Sequence, residues 1–421
     1  MRLVFFVLAL TAIARLAEGN EPYTETLRQL LESHRRIIAV KSDVKSSEAA
    51  LQSAKGGWYP TIKATVNYGY EDRAGKTFNP NSNDFTVDQL LWNFGATNAG
   101  IKKADLGLQQ TFISYETERQ ALLLEGLAAY IDLFRAYRTL EFAQKTVENI
   151  RKQTGMEESR VEIGSGLPTD VLQAKSQLAG AKAREARSEG GLIIAENRFR
   201  NVFNREPPKD LEEIPVPFER LPANLETALQ MARERNYQLR SAQLSSQIAH
   251  TEVTRVRSSE LYPEIKAVGQ SYIRNDANGI AGRWDDHLIK IEANYRFNLG
   301  FSQVYAVDAA KSAAVAVDYR LQDTLFLVEQ QVRNAWQSLI TARQNAELLD
   351  NQARIASEFL RLAREERLLG HRSLIDVLIG ETNLINAESD AASAEADVAL
   401  ATFAVLQAVS GLELDALGIP R

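Results

Sequence analysis

The chain has 421 residues, a formal net charge of −6 and no cysteine. The absence of cysteine excludes disulfides, thiolate nucleophiles and cysteine-ligated metal sites. The acidic balance argues against nucleic acid as a partner. After the N-terminal segment no run approaches 18 consecutive apolar residues, so the sequence predicts no transmembrane helix. Two options remain: a soluble protein outside the cytoplasm, or a protein that crosses a membrane as strands.

Residues 1–19 have the pattern of a secretory signal peptide. Arg2 precedes an almost wholly apolar run from Leu3 to Ala14, and a small residue follows at Ala17. The run is too short for a membrane-spanning helix, which needs about 20 residues. We therefore expect residues 1–19 to direct export and the mature chain to begin near residue 20.

Four short sequence anchors occur twice in the same order, which indicates an internal duplication. The paired anchors begin at Glu25 and Glu226, Trp58 and Leu261, Asn93 and Asn298, and Gly164 and Gly370. Their separation rises only from 201 to 206 residues along the chain. We predict two repeat units, 20–205 and 224–421, joined by a proline-rich connector at 206–223.

Each predicted unit has the order helix, strand, strand, long helix, return helix. In the first unit these elements are 23–57, about 60–70, 85–94, 99–162 and 169–203, with a polar loop at 71–84. In the second unit they are 224–259, 263–273, 287–298, 301–369 and 374–410, with a polar loop at 275–286. The first helix of each unit ends at Tyr-Pro, because the residue before proline is disfavoured in helical geometry. The long helices, roughly 100 Å each at 1.5 Å per residue, are expected to pack as coiled coils.

The predicted strands alternate apolar and polar residues with period two. In the last strand, Ile289 and Ile291 point to one face, and Lys290 and Glu292 point to the other. A soluble sheet with one wet face can have this pattern. The length of about 9–11 residues and the polar opposite face also suit strands of a membrane β-barrel, which we favour.

Four strands per chain are too few to close a barrel. About eight strands are needed before an interior exists, and eight leave it filled with side chains. Open sheet edges are not tolerated in hydrocarbon. The barrel must therefore be shared between chains, and a trimer with twelve strands leaves more room for a solute than a dimer.

Three features of the chain resemble the TolC family of outer-membrane efflux proteins over essentially the whole mature length. They are the doubled Tyr-Pro switch, Gly-x-x-x-x-Thr-Asp-Val-Leu-x-Ala at Gly164–Ala174, and Gly-x-Arg-Ser-Leu-Ile-Asp-Val-Leu at Gly370–Leu378. The resemblance implies a mainly α-helical homotrimer with a shared twelve-stranded β-barrel in outer-membrane lipid and a coiled-coil α-barrel tunnel in the periplasm. It also implies a periplasmic adaptor (membrane fusion protein) and an inner-membrane transporter of the ABC or RND type, as in multidrug efflux or type I secretion.

The same resemblance implies a polar lock at the closed periplasmic end. Thr169, Asp170 and Arg372 match lock positions, and Arg367 replaces the usual aromatic partner, which makes it an alternative partner for Asp170. An Asp–Arg pair suits a gate, since it can be bidentate yet is weak when exposed. The alternatives are plain helix N-capping for Asp170 and Asp376 and a solvated surface charge for Arg372.

The resemblance implies two further roles near this end. Asp376 matches the first of two aspartates that narrow the tunnel and attract cations. The second position holds Ile379, which puts strong cation binding in doubt. The turns that contact the adaptor correspond to Ile163-Gly164-Ser165 and Leu369-Gly370-His371.

The sequence contains no recognisable catalytic or cofactor motif. Its four histidines share no ligand spacing, and no glycine-rich phosphate loop or nucleophile–base pair is present. We therefore expect no enzymatic activity, no metal and no cofactor. The predicted function is a passive exit duct gated at its periplasmic tip. The alternatives are a periplasmic coiled-coil adaptor or scaffold and a constitutively open outer-membrane porin.

Overall fold

The computed structural model describes residues 23–208, 211–276 and 282–418. The predicted signal peptide, 1–19, lies outside the described residues. The first half contains α1 (Tyr23–Ser33), α2 (Arg35–Lys55), β1 (Thr61–Tyr68), β2 (Glu71–Arg73), β3 (Lys76–Phe78), β4 (Asn81–Trp92), α3 (Ala96–Glu162) and α4 (Pro168–Phe203). The second half contains α5 (Leu225–Arg235), α6 (Tyr237–Leu261), β5 (Glu264–Asn275), β6 (Arg283–Asn294), α7 (Ser302–Leu368) and α8 (Leu374–Ala408).

The predicted mainly helical fold with four long strands is confirmed, and the two long helices, α3 and α7, have 67 residues each. The helices predicted at 23–57 and 224–259 are each divided in two, at His34 and Asn236. Asn236 leaves helical geometry at ψ 124°, and its amide donates a hydrogen bond to the carbonyl of Ala408 at 2.9 Å. Within the described ranges, no helix is both long enough and apolar enough to span a membrane.

Two strand predictions are corrected by the structure. The segment 71–84, predicted as a loop, contains the small hairpin β2–β3 and the start of β4. The strand predicted at 287–298 instead runs over Arg283–Asn294. It ends there because Asn294 pairs with Glu264, the first residue of β5. The preceding Pro263 has no N–H group with which to extend the ladder.

By packing, the chain forms two compact units, each built from segments of both halves. The unit of 39–116 and 237–327 contains an antiparallel sheet of order β1-β4-β5-β6. The pairing of β4 with β5 joins one hairpin from each half. In the same unit, α3 and α6 bury a small core of Leu106, Ile113 and Leu244.

The cross-strand register gives this sheet one apolar and one polar face. On the apolar face Ile62 lies opposite Val87, Val87 opposite Gly269, and Gly269 opposite Ile289. The other face carries the ion pair between Arg274 and Asp84, with Nε and Oδ1 3.2 Å apart. The alternation predicted from the sequence is therefore present across all four strands.

The other unit comprises 1–38, 117–236 and 328–421, of which the structure describes the residues from Tyr23 onward apart from 209–210 and 419–421. Its helices bury long aliphatic and aromatic side chains almost completely, among them Leu27, Leu122, Leu127, Phe199 and Phe403. A second cluster joins α3, α4 and α8 through Val147, Ile150, Ala174, Ala181, Leu374 and Leu378. This packing holds the α3–α4 and α7–α8 hairpins that carry the predicted site.

Candidate functional site at the helical tips

The two helical hairpins end in the same backbone turn. Gly164 and Gly370 adopt φ of 76° and 79°, a left-handed conformation that favours glycine. The N–H groups of Gly164 and Ser165 donate to the carbonyls of Val161 and Arg160, at 3.0 and 2.8 Å. The N–H groups of Gly370 and His371 make the equivalent bonds in α7. Both turns are Schellman caps, which satisfy the last carbonyl groups of the long helices.

The helices that follow these turns begin differently. Leu167 is the N-cap of α4 and provides no side-chain hydrogen bond, while Pro168 occupies the first helical position. Ser373 caps α8 by accepting a hydrogen bond from the backbone N–H of Asp376 at 3.3 Å. Asp170 and Asp376 are therefore each the third helical residue, and neither is an N-cap as the capping alternative supposed. Their carboxylates still interact favourably with the positive end of the helix dipole.

Arg367 pairs with Glu157 of α3. Its Nη2 lies 2.7 Å from Oε1 of Glu157, whose side chain is only 5% exposed. Its Nη1 donates to the backbone carbonyl of Arg372 at 3.2 Å. The alternative in which Arg367 pairs with Asp170 is therefore wrong within one chain, because Arg367 pairs with the more deeply buried carboxylate of Glu157. Arg367 connects α3 with the turn between α7 and α8.

Arg372 is held by groups of its own hairpin. Its Nε donates to Oε2 of Glu366 at 2.6 Å, and its guanidinium lies 5.1 Å from the centre of the Phe359 ring. Among the residues that the structure describes, the half-buried Asp170 carboxylate has no hydrogen bond or ion pair, and Thr169 is exposed. Asp170 and Arg372 are thus not joined in one chain, and a pair between subunits stays a prediction.

The Asp376 side chain is exposed, as is that of Ile379 at 44%. One turn further along α8, Glu381 is 1% exposed and pairs with Arg364 of α7, Nη2 to Oε1, at 3.0 Å. Its other oxygen, Oε2, is buried without a hydrogen-bond partner in the described part of the chain. Below the tip, the buried carboxylate of Glu157 therefore joins α3 to α7, and that of Glu381 joins α8 to α7.

The tips themselves expose apolar side chains. Ile163 and Leu167 are 78% and 63% exposed, and Leu368 and Leu369 are 87% and 73% exposed. Ser165 and His371, the remaining side chains of the predicted docking turns, are also exposed. Clustered exposed apolar side chains are typical of protein interaction sites.

The sequence did not predict the polar contacts of Glu157, Glu366 and Glu381. Glu157 and Arg367 are 210 residues apart, and no local spacing predicts such a pair. The Glu366–Arg372 pair could have been found, because the two residues flank the Gly370 turn by only a few positions. Within the described ranges, no cluster of three or more His, Asp or Glu side chains suits a metal ion.

Long helices that end in tip turns, together with a four-stranded sheet, are also the fold of solved outer-membrane channels. A family profile described as outer membrane efflux protein matches residues 26–205. The chain is 24% identical to outer membrane protein TolC of Vibrio cholerae, over 97% of this chain and 95% of that protein. It is 22% identical to TolC of Escherichia coli, over 92% and 81% of the two chains.

The fold has solved counterparts as well. The outer membrane channel MtrE of Neisseria gonorrhoeae, in its open state, superposes with a TM-score of 0.80 at 18% identity, over 92% of this chain and 88% of that chain. The first half of the chain thus matches the outer membrane efflux protein family, and nearly the whole chain is similar to the TolC proteins. It is a protein of the bacterial outer membrane with a large periplasmic part, and its relatives are channels rather than enzymes.

Proposed function

We propose that this protein is the passive exit duct of a multidrug efflux or type I secretion system. Three copies form one conduit, which an inner-membrane transporter of the ABC or RND type supplies through a periplasmic adaptor. The conduit is closed at the tips of the α3–α4 and α7–α8 hairpins until the partners dock. Similarity to outer membrane efflux proteins supports the efflux role, and the trimer, the gate and the partners are our proposal.

The observation that carries the proposal is the sheet of β1, β4, β5 and β6. Its apolar face is open to the surroundings: Ile62, Val66, Ile289 and Ile291 are 73–90% exposed. Its two edge strands, β1 and β6, each pair with only one neighbour among the described strands. Lipid can cover such a face, but unpaired edges are too costly in hydrocarbon. Pairing β1 of one copy with β6 of the next removes the edges, and three copies give twelve strands.

The contacts at the tip favour a gate that partners can open. The Arg367–Glu157 pair fastens the α7–α8 turn to α3, and Arg372 stiffens the same turn through Glu366. An exposed pair such as the second contributes about 0–1 kcal/mol, while breaking a buried pair costs more. Repeated around a threefold axis, these contacts hold a closed state that the free energy of docking can overcome.

The apolar tips fit the adaptor contact. Ile163, Leu167, Leu368 and Leu369 project from the two turns, and an adaptor that covered them would remove apolar area from water. The affected side chains lie within a few residues of Arg367 and Arg372. Docking and release of the lock therefore involve the same short segments.

Single-channel recording in planar bilayers tests the gate. The wild-type protein is expected to remain mostly closed. Arg367→Ala and Arg372→Ala are expected to increase the open fraction, because each frees the α7–α8 turn from a carboxylate. Asp170→Ala is expected to act similarly through its predicted pairing between subunits.

Asp376→Ala is expected to lower cation selectivity.

Arg361→Ala is the matched control for these variants. Arg361 also lies near the end of α7. Its ion-pair partners in the described part of the chain are Glu358 and Glu365 of its own helix, and all three side chains are exposed. Its removal should leave the open fraction unchanged. A wild-type protein that conducts constantly, with no further increase in the Arg367 and Arg372 variants, would instead identify an open porin.

A further inference from the structure

A cavity of about 560 Å³ lies among α3, α4 and α8, away from the tip contacts. Among the described residues, four arginines line it, Arg135 from α3 and Arg184, Arg187 and Arg198 from α4, against one acidic residue, Asp132. The volume is within the range of small-molecule sites, which are typically 300–1,000 Å³. The cavity is therefore large enough for an organic ligand and strongly biased toward positive charge.

Two of the four arginines already have partners. Asp132 pairs with Arg135, Nη2 to Oδ1, at 2.6 Å and also with Arg198. Arg135 reaches Asp397 as well, at 3.3 Å. The one acidic residue of the lining is thus neutralised by its two neighbours and leaves the other cations uncompensated.

Arg184 and Arg187 are those cations. Neither has an ion pair or hydrogen bond within the part of the chain that the structure describes, and Nη2 of Arg184 is fully buried without an acceptor. Buried nitrogen donors in native proteins almost always have a partner, so this nitrogen suits an acceptor that the described chain does not itself provide. The half-buried Arg184 and the exposed Arg187 lie three residues apart, on one face of the helix. Guanidinium donors suit carboxylate, sulfonate or phosphate oxygens.

The remaining walls suit the body of an organic molecule. Phe142, Ile194 and Ile385 contribute apolar surface, and Thr139, Ser188 and Ser389 contribute hydroxyl groups. We propose that this cavity binds an organic anion, with its acidic group on Arg184 and Arg187 and its apolar body against Phe142, Ile194 and Ile385. The site is independent of the tip gate, since it shares no residue with the lock.

Fluorescence titration of the trimer in lipid nanodiscs, with empty nanodiscs subtracted, tests the site. The probe is 8-anilino-1-naphthalenesulfonate, and N-phenyl-1-naphthylamine is an uncharged compound with the same ring system. The wild-type protein is expected to bind the sulfonate more tightly than the neutral amine, and added salt should weaken only the sulfonate. Arg184→Gln and Arg187→Gln should each weaken sulfonate binding by about tenfold, as expected for the loss of a charge-assisted hydrogen bond.

Lys182→Gln is the control variant, because Lys182 is an exposed cation of the same helix outside the cavity. It should bind the sulfonate like the wild-type protein. Circular dichroism and trimer content establish that each variant is folded before its affinity is compared. Equal binding of the sulfonate and the neutral amine would overturn the proposal, as would unchanged sulfonate affinity in the folded Arg184 variant. Displacement of the dye by inorganic sulfate at equal concentration would overturn the assignment to an organic anion.

Discussion

At the scale of single residues, Glu388 of α8 is a carboxyl group whose charged form the fold disfavours. Burial raises the pKa of Glu388, and nearby Lys145 compensates only in part. A carboxyl group with a raised pKa in the folded state stabilises the fold below its unfolded-state pKa, and this stabilisation is lost as the pH rises through the folded-state pKa. Above its folded-state pKa, Glu388 is therefore a local source of instability.

We predict that Glu388→Gln raises the thermal midpoint of helix unfolding at about pH 7.5 and leaves it nearly unchanged at about pH 4, where glutamate is largely protonated in both states. Circular dichroism of the detergent-solubilised protein measures both midpoints. Glu148→Gln is a suitable control, since Glu148 pairs with Lys152 at the surface of α3 and its removal should not stabilise the fold. A lower midpoint for Glu388→Gln at the higher pH would contradict the prediction.

At the scale of elements, the Schellman turns require glycine for its backbone conformation and not because a side chain would clash. A Cβ atom at Gly164 or Gly370 would meet no atom within 4 Å, yet both residues have positive φ. Alanine at either position is therefore expected to destabilise the turn by roughly 1–2 kcal/mol. Hydrogen exchange at residues 160–170 and 366–374 should accelerate about five- to thirtyfold.

Gly155 provides a control of opposite sign. It lies inside α3, where a Cβ atom would also meet nothing within 4 Å, and its φ is not positive. Gly155→Ala should stabilise the helix by about 0.5–1 kcal/mol and should not accelerate exchange at the neighbouring tip. If Gly155→Ala accelerated hydrogen exchange as the tip substitutions do, the positive φ of Gly164 and Gly370 would not explain the acceleration.

The two faces of β6 lead to a second prediction for an element. Ile289 is 90% exposed on the apolar face, while the adjacent Leu288 lies on the other face opposite Gln270. Ile289→Lys should reduce the amount of assembled protein in outer-membrane fractions, because a lysine at a lipid-facing position costs about 2–4 kcal/mol near the membrane centre. Leu288→Lys adds the same charge to the same strand and should be tolerated. Equal loss in both variants would argue against lipid on the Ile289 face.

Much of this architecture follows from local sequence rules. Period-two alternation is enough to assign the faces of β6, and Gly164 and Gly370 mark the helix ends because few other residues adopt positive φ. The breaks at His34 and Asn236 were missed, since polar residues within a periodic segment rarely indicate whether tertiary contacts interrupt the helix. The Asn236 amide, for example, bonds the carbonyl of Ala408, 172 residues away.

The candidate site was less predictable than the fold. Glycines and exposed apolar residues located the tips, but the partners of Arg367 and Arg364 are set by packing between helices. Glu157 and Glu381 are acidic residues in helical segments, a pattern typical of solvated surfaces. Their burial depends on which helix faces meet, and no spacing along the chain encodes that information.

At the scale of the whole molecule, the sheet has two open edges, and the proposed trimer removes them by pairing β1 of one copy with β6 of the next. The chain contains no native cysteine, so a pair of introduced cysteines reports a single contact. We predict that a cysteine at Val66 in β1 forms a disulfide with a cysteine in β6 of the neighbouring chain. The β6 positions to test are Asp285, His287, Ile289 and Ile291. The pair whose Cβ atoms lie close together in the intermolecular register should be the one that reacts. The covalent ladder on denaturing gels should stop at three chains, because the third link closes the ring. Variants with one of the two cysteines should give no ladder. A ladder beyond three chains, or a disulfide confined to single chains, would contradict the closed trimer.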